Sequence, residues 1–267
     1  MGGFDGSAFL AALPWTVAAV VVVLGLTFAL ALRLGKHAVI DVAWGLGFVA
    51  VALTAYALAT GDSTRALVAL LATAAWGVRL AVHIGNRSRG HGEDPRYAAI
   101  LGRAPGNPDV YALRRVYAPQ AAIMWFVSLP VQVAMFEQDG AGPLLWVGVV
   151  VFLVGLFFEA VGDWQLHRFR TDPGSKGKVL NTGLWRYTRH PNYFGDATAW
   201  WGIFLVAADG GAGWFTILSP VVMTWLLAKG TGKPLLEKDM AQRRPEYADY
   251  VRRTSGFVPW PPRRPAS

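Results

Sequence analysis

Cysteine is absent from the 267-residue chain, which excludes a disulfide framework, thiolate ligation of zinc or iron–sulfur clusters, and a cysteine nucleophile. Charge is scarce too. Asp, Glu, Lys and Arg make up 16% of residues, against roughly 25% in an ordinary soluble domain. No Gly-x-Gly-x-x-Gly unit follows a strand pattern and no Walker loop occurs, so nothing supports a soluble nucleotide-binding α/β fold. The histidines His37, His83, His91, His167 and His190 lack His-x-x-x-His spacing, which argues against a metal site. No serine lies in a Gly-x-Ser-x-Gly turn, which disfavours a Ser-His-Asp hydrolase.

What the chain has is apolar sequence: 54% hydrophobic residues before its 30 glycines are counted, and a mean hydropathy of +0.34. Runs near the ~20 residues needed to cross a bilayer recur along its length. They fall at about 9–32, 38–60, 64–84, 118–136, 143–166, 192–208 and 213–228, which predicts an all-α integral membrane protein of seven transmembrane helices. The first run follows no basic region, exceeds a signal-peptide core and has no small-residue cleavage site, so it should remain as a span. Residues 1–258 would form one seven-helix domain, with a Pro- and Arg-rich tail over 259–267 that looks frayed.

The net charge of +8 is spread over short connectors and not over one soluble face, so nucleic acid is not the expected partner. Of the 25 Lys and Arg residues, only Arg65 lies on the side where Asp5, Asp62, Glu137, Asp139 and Asp209 collect. By the positive-inside rule the other side is cytoplasmic, placing the N-terminus outside and the C-terminus inside. The cytoplasmic connectors, 85–117, 167–191 and 229–267, are also the long ones, so function should face the cytoplasm.

Charges within hydrocarbon cost at least a few kcal/mol and must face protein or a watered cavity. Glu159, Asp163, His167 and Arg170 fall at i, i+4, i+8 and i+11, one stripe on the fifth helix, as an internal ion-pair ladder or as the wall of a polar cavity. Trp76, Arg79, His83 and Arg87 make a second stripe on the third helix. Asp41 opens the second helix below Trp44 and Gly45, where a carboxylate also complements the helix dipole. By the rise per residue, Arg79 and Asp41 lie within a few ångströms of the same depth.

The most informative stretch runs from Gly183 to Asp196. Pro191 suits a helix's first turn, and Arg186, Arg189 and His190 crowd its positive end, a natural seat for phosphate or carboxylate. Asn192 and Asp196, one turn apart, would hydrogen-bond a ribose or amide. Basic residues beside a membrane also anchor lipid headgroups, but the aromatic residues among them, Trp185, Tyr187 and Tyr193, favour a shaped pocket.

The segments Asp41-Val42-Ala43-Trp44-Gly45, Trp76-Gly77-Val78-Arg79-Leu80, Gly92-Glu93-Asp94-Pro95-Arg96-Tyr97, Arg189-His190-Pro191-Asn192-Tyr193 and Arg243-Arg244-Pro245-Glu246-Tyr247 carry a resemblance. From about residue 38 onward the chain resembles a bacterial membrane family of unknown function, DUF1295, within the steroid 5α-reductase and isoprenylcysteine methyltransferase superfamily. The resemblance implies a steroid 5α-reductase-like seven-helix fold in the bacterial cytoplasmic membrane. It also implies a reductase that uses NADPH to saturate a carbon–carbon double bond conjugated to a carbonyl in a membrane lipid or steroid-like substrate. On the same basis Glu159, Asp163, Arg170, Asn192 and Asp196 fall at nucleotide-binding positions, and the cofactor set extends to His167, Trp185, Tyr187, Arg189, His190, Tyr193 and Glu237. Asp41 falls near the family's catalytic Glu, and Trp76, with Trp44 beside Asp41, at the substrate end. Trp76 stands near a substrate-contacting Tyr of the steroid reductases, so a steroid 3-ketone loses its hydroxyl partner and the polarising role passes to Arg79 or Tyr97.

Hydride delivery to a β-carbon leaves an enolate that needs a donor or cation and then a proton. Arg79 with Asp41 would meet the first need, and Tyr97 or Glu93 the second. Alternatively, Gly92 to Tyr97 is only the capped start of a loop helix. The competing function is an S-adenosylmethionine-dependent membrane methyltransferase. That class shares the Arg-His-Pro-x-Tyr segment but carries a paired Glu in the following tail, where Leu235-Leu236-Glu237-Lys238-Asp239 offers one. A non-enzymatic lipid-binding protein is the third class.

Overall fold

The computed structural model describes residues 3–230, 237 and 246–263. Arg243, Arg244 and Pro245 of the last family-like segment, residues 235, 236, 238 and 239 around Glu237, and residues 264–267 of the tail lie outside the described residues. Among the described residues all regular structure is helical; β pairing is limited to two isolated bridges. The helices are α1 (Gly6–Leu34), α2 (Val39–Ala57), α3 (Ser63–Ser88), α4 (Pro95–Leu101), α5 (Pro108–Ala112), α6 (Ala118–Val127), α7 (Leu129–Ala134), α8 (Pro143–Thr171), α9 (Pro191–Ala208), α10 (Leu218–Ala228) and α11 (Glu246–Arg253).

Among the described residues five helical stretches are long and apolar enough to cross a membrane: α1, α2, α3, Pro108–Ala134 and α8. The apolar runs expected at 192–208 and 213–228 are also helical, as α9 and the shorter Ala212–Ala228. The fourth run starts ten residues earlier than its hydropathy suggests. A π-helical turn, Leu113–Tyr117, joins α5 to α6, so Arg114 and Arg115 extend the helix that hydropathy alone begins at Ala118. Only 17% of the apolar window of α1 is buried, and its exposed side carries Trp15, Val21, Val22 and Leu26. An apolar outward face is what lipid requires of a span, and the protein is an integral membrane protein.

Helix starts follow local capping chemistry. Asp5 accepts from the Ala8 N–H at 3.0 Å, Asp62 from Arg65 at 2.8 Å and Asp94 from Arg96 at 2.8 Å, each satisfying a donor with no partner inside its helix. The start of α2 has only Ala38 at its cap position. Glu93 serves there instead, accepting from the N–H groups of His37 at 2.5 Å and Ala38 at 2.9 Å.

Contacts gather the chain into two compact units, Met1–Trp146 with Ile203–Ser219, and Val147–Gly202 with Pro220–Ser267. In the first, α2 packs against both α1 and α3. A Cβ on Gly45 would collide with the Gly77 carbonyl, and one on Gly77 with that of Gly45. Small residues of this kind let helix backbones touch where lipid supplies no hydrophobic drive for association. Buried polar groups tie α1 to α6 and α7: Thr16 donates to Gln132 at 2.8 Å, and the Trp125 indole donates to Thr16 at 3.1 Å.

In the second unit α8 and α9 cross in the same manner, with Gly155 against the backbone of Gly195 and Ala199, and Gly202 against that of Gly148 and Phe152. The segment around Trp260 is held, not frayed. Its N–H donates to Tyr187 at 2.9 Å, and that of Arg263 donates to Arg253 at 2.9 Å.

The lone cation on the acidic side, Arg65, is fully buried in the first unit. Its guanidinium donates to the carbonyls of Asp139 (2.6 Å) and Gly140 (3.1 Å) and to the Asp209 carboxylate (2.9 Å). Glu137 beside it is also fully buried and accepts from the Gly213 N–H at 3.1 Å; burial pushes its carboxyl up from the usual range. Replacing Arg65 by Met should cost roughly 3–5 kcal/mol, because Asp209 is left as an uncompensated buried charge, and pairing it with Asp209→Leu should restore much of that loss. Thermal unfolding in detergent of the single and double variants measures this; equal melting temperatures for wild type and Arg65→Met would contradict the assignment.

Candidate functional site

In the first unit the start of α2, the first turn of α4 and the start of α6 bring together Asp41, Arg96, Tyr97 and Gln120. The Tyr97 hydroxyl donates to Asp41 Oδ1 at 2.5 Å and the Arg96 guanidinium donates to Oδ2 at 2.7 Å. The Gln120 side chain lies beside the same phenol. Tyr97 is 7% exposed; burial first, and then the Asp41 charge, push its phenol far above its ordinary range, so it stays protonated and able to donate. The position of Asp41 follows from packing, since it lies one turn before Gly45, where α2 meets α3 backbone to backbone.

Of the residues expected at the substrate end, Asp41 and Tyr97 thus meet directly. The carboxylate of Glu93 instead accepts the N–H groups of His37, Ala38 and Asp94, a positioning role that ties the loop before α4 to the start of α2. Trp44 and Trp76 both stack edge-on against Phe48, with ring centroids 5.2 and 5.3 Å away, and Trp76 is fully buried. Arg79 is partly buried on α3, two residues beyond Gly77. Arg96 and Gln120 were not singled out from sequence. Arg96 lies inside the family-like segment Gly92 to Tyr97, so its signal was present; Gln120, on an apolar helix far along the chain, gave none.

Behind this group, His37 is buried, with Nε2 3.1 Å from Asp109 and Nδ1 3.3 Å from the Tyr117 hydroxyl. Among the described residues no group of His, Asp and Glu is arranged to hold a metal ion.

The second unit carries the other candidates. Gly162 lets Pro191 and the Asn192 backbone lie directly against α8, so that the Asn192 amide donates to Asp163 at 3.0 Å. Glu159 and Asp163 on α8 and Asp196 on α9 are all buried. His167 and Arg170, farther along α8, are exposed. The indole of Trp185 is buried and donates to the Gly162 carbonyl at 3.1 Å, while the Tyr187 ring is 42% exposed. Tyr193 stacks on His190 with rings 5.6 Å apart and 9° from parallel.

Arg189 and His190 do not stand open to solvent. Both engage Glu237: Arg189 Nε at 2.9 Å, Nη2 at 3.3 Å, and His190 Nε2 at 2.8 Å. Arg189 also donates to the carbonyls of Thr254 at 2.7 Å and Val251 at 3.2 Å. A single carboxylate therefore gathers the Arg-His pair, and Arg189 ties it to the end of α11. Burial alone would raise the Glu237 carboxyl; hydrogen bonds from His190 and Arg189 outweigh it and hold it down at about 2. The stability this carboxylate contributes is therefore present above its unfolded value of 4.5 and is lost as pH falls toward 2. Melting temperatures of wild type and Glu237→Gln should differ at pH 6 and converge between pH 4.5 and about 2.5; a gap that stays constant across that window would contradict the clamp.

No solved structure matches the chain significantly. It is 24% identical over 226 residues to an uncharacterized protein of Schizosaccharomyces pombe, covering 74% of this chain and 64% of that one. Over 71 residues it is 39% identical to a probable O-methyltransferase, ustE, of Ustilaginoidea virens, covering 27% of this chain and 24% of that one. The chain thus spans less than two thirds of the length of either relative. Residues 27–254, which hold every residue of both clusters, match the family described as a protein of unknown function, DUF1295, and the chain belongs to that family.

Proposed function

We propose that this protein is an NADPH-dependent membrane reductase that saturates a carbon–carbon double bond conjugated to a carbonyl in a membrane-dissolved lipid. The observation that carries the reading is the 2.5 Å hydrogen bond between Tyr97 and Asp41, with Arg96 on the other carboxylate oxygen. In the reductase reading, the phenol that the steroid reductases carry where this chain has Trp76 is supplied by Tyr97. The membrane arrangement that goes with it has seven spans, α9 and Ala212–Ala228 being the last two, with the N-terminus outside and the connectors 85–117 and 167–191 cytoplasmic. A bacterial cytoplasmic membrane is the proposed location.

The second unit's donor set fits a dinucleotide at its sugar and amide groups. Buried carboxylates at Glu159, Asp163 and Asp196 accept hydrogen bonds from ribose hydroxyls or a carboxamide, and Asn192 offers both a donor and an acceptor. Arg170 and Arg186, both exposed, supply charge for phosphates. When bound, the nicotinamide supplies a hydride. In the first unit, Arg96 would stabilise negative charge that develops on the substrate carbonyl oxygen. The Tyr97 hydroxyl, turned from Asp41 to the substrate, would then give its one proton to the enolate carbon and complete the saturated product, with Arg96 offsetting the phenolate's charge. Arg79 is the second candidate cation for the same oxygen.

A methyltransferase that uses S-adenosylmethionine is the second reading. The local similarity to a probable O-methyltransferase favours it, as does the Glu237 carboxylate gathered onto Arg189 and His190. Incubation with 4-deuterated NADPH and a lipid extract should place deuterium on carbon in a saturated product. Tyr97→Phe should lower turnover by about 10²–10⁴-fold with little change in nucleotide affinity, whereas Asn192→Ala should weaken nucleotide binding by the equivalent of about 1–3 kcal/mol. Label that reaches lipid only as a methyl group from S-adenosylmethionine would establish the second reading instead.

A further inference from the structure

The end of α11 and the segment that follows it enclose, within the second unit, a cavity of about 350 Å³. Four arginines line it: Arg189, Arg252, Arg253 and Arg263. Their carboxylate partners are fewer. Among the described residues Asp249 pairs with both Arg252 and Arg253, and Glu237 with Arg189, which leaves two positive charges in surplus there. Arg263 makes no ion pair among the described residues, although its N–H fixes the backbone by donating to Arg253. The Nε of Arg253 is shielded from solvent and donates to nothing among the described residues. At the rim stands Trp260, whose indole is 70% exposed even though its backbone N–H is pinned to Tyr187.

Like charges gathered around a cavity repel one another, and a shielded guanidinium N–H without an acceptor is unfavourable. A dianion seated among the arginines removes both penalties, and guanidinium forks match phosphate oxygens in pairs. An exposed, backbone-anchored indole beside such a seat provides a face on which an adenine can stack. We infer that this pocket binds a phosphate monoester, the 2′-phosphate of an adenine dinucleotide being the source that fits the indole, so that Arg253 and Arg263 select NADPH over NADH. The selection of NADPH rests on the reductase reading; the phosphate monoester pocket does not.

The test is calorimetric titration of the full chain in phosphatidylcholine nanodiscs. Adenosine 2′,5′-bisphosphate should bind at least about tenfold more tightly than adenosine, as expected for hydrogen bonds to a charged group. Arg263→Ala and Arg253→Gln should each collapse that ratio toward one without changing the melting temperature, and should remove a preference for NADPH over NADH while leaving NADH affinity unchanged. If adenosine 2′,5′-bisphosphate binds in this arginine-dependent way and NADPH does not bind, the pocket stands and the dinucleotide reading fails. Arginine-dependent competition by phosphatidic acid added to the discs, with no nucleotide binding, identifies a lipid headgroup as the source of the monoester. A wild-type chain that binds none of these ligands, binds adenosine equally well, or keeps its ratio in both variants overturns the inference.

Discussion

Helices that touch backbone to backbone are the constraint on which the two clusters depend. Between apolar helices in lipid there is no hydrophobic gain from association, so contact comes from close packing and hydrogen bonds. Gly45 and Gly77 bring α2 onto α3, and Gly155 and Gly195 bring α8 onto α9. Each crossing fixes nearby polar side chains. Asp41 lies one turn from Gly45, and Gly162 admits Pro191 so that Asn192 reaches Asp163. A methyl group at these glycines would separate the backbones and move the polar residues with them. The chemistry is thus held by residues that have no chemistry of their own.

Charge divides into work of two kinds. Among the short acidic connectors, Arg65 and Asp209 are buried and paired, and Glu137 is buried with the Gly213 N–H on one oxygen; burial at this level leaves no open face for a ligand. On the basic side, charges form clusters with partly exposed members: Asp41 with Arg96, and Glu237 with Arg189 and His190. Arg65, the one cation among the acidic connectors, is fully buried, with both Nη groups donating to protein acceptors.

Apolar runs gave the helices because length and hydropathy report directly on what lipid tolerates; α1, α2, α3 and α8 lie within a few residues of the expected limits. Charged residues beside an apolar run were harder to read. The π turn at Leu113–Tyr117 carries Arg114 and Arg115 into a helix that hydropathy starts at Ala118. At the site, helical spacing found the stripe of Glu159 and Asp163, and the short segments found Asp41, Tyr97 and Asn192. Spacing within one helix does not reveal partners across helices. The engagement of Glu93 with the start of α2, the role of Arg96 on Asp41 and the contact of Gln120 with Tyr97 each span more than 20 residues and needed the fold. The clamp through Glu237 was invisible for the same reason, although the residue itself stood out as the single Glu of its tail.

The most direct test of the account is the small molecule that accompanies the protein through purification in mild detergent, identified by mass spectrometry after denaturation. The account predicts a nicotinamide adenine dinucleotide phosphate that is retained by the native chain and lost from Asn192→Ala. Recovery of S-adenosylmethionine or its demethylated product, or of lipid alone, would contradict it.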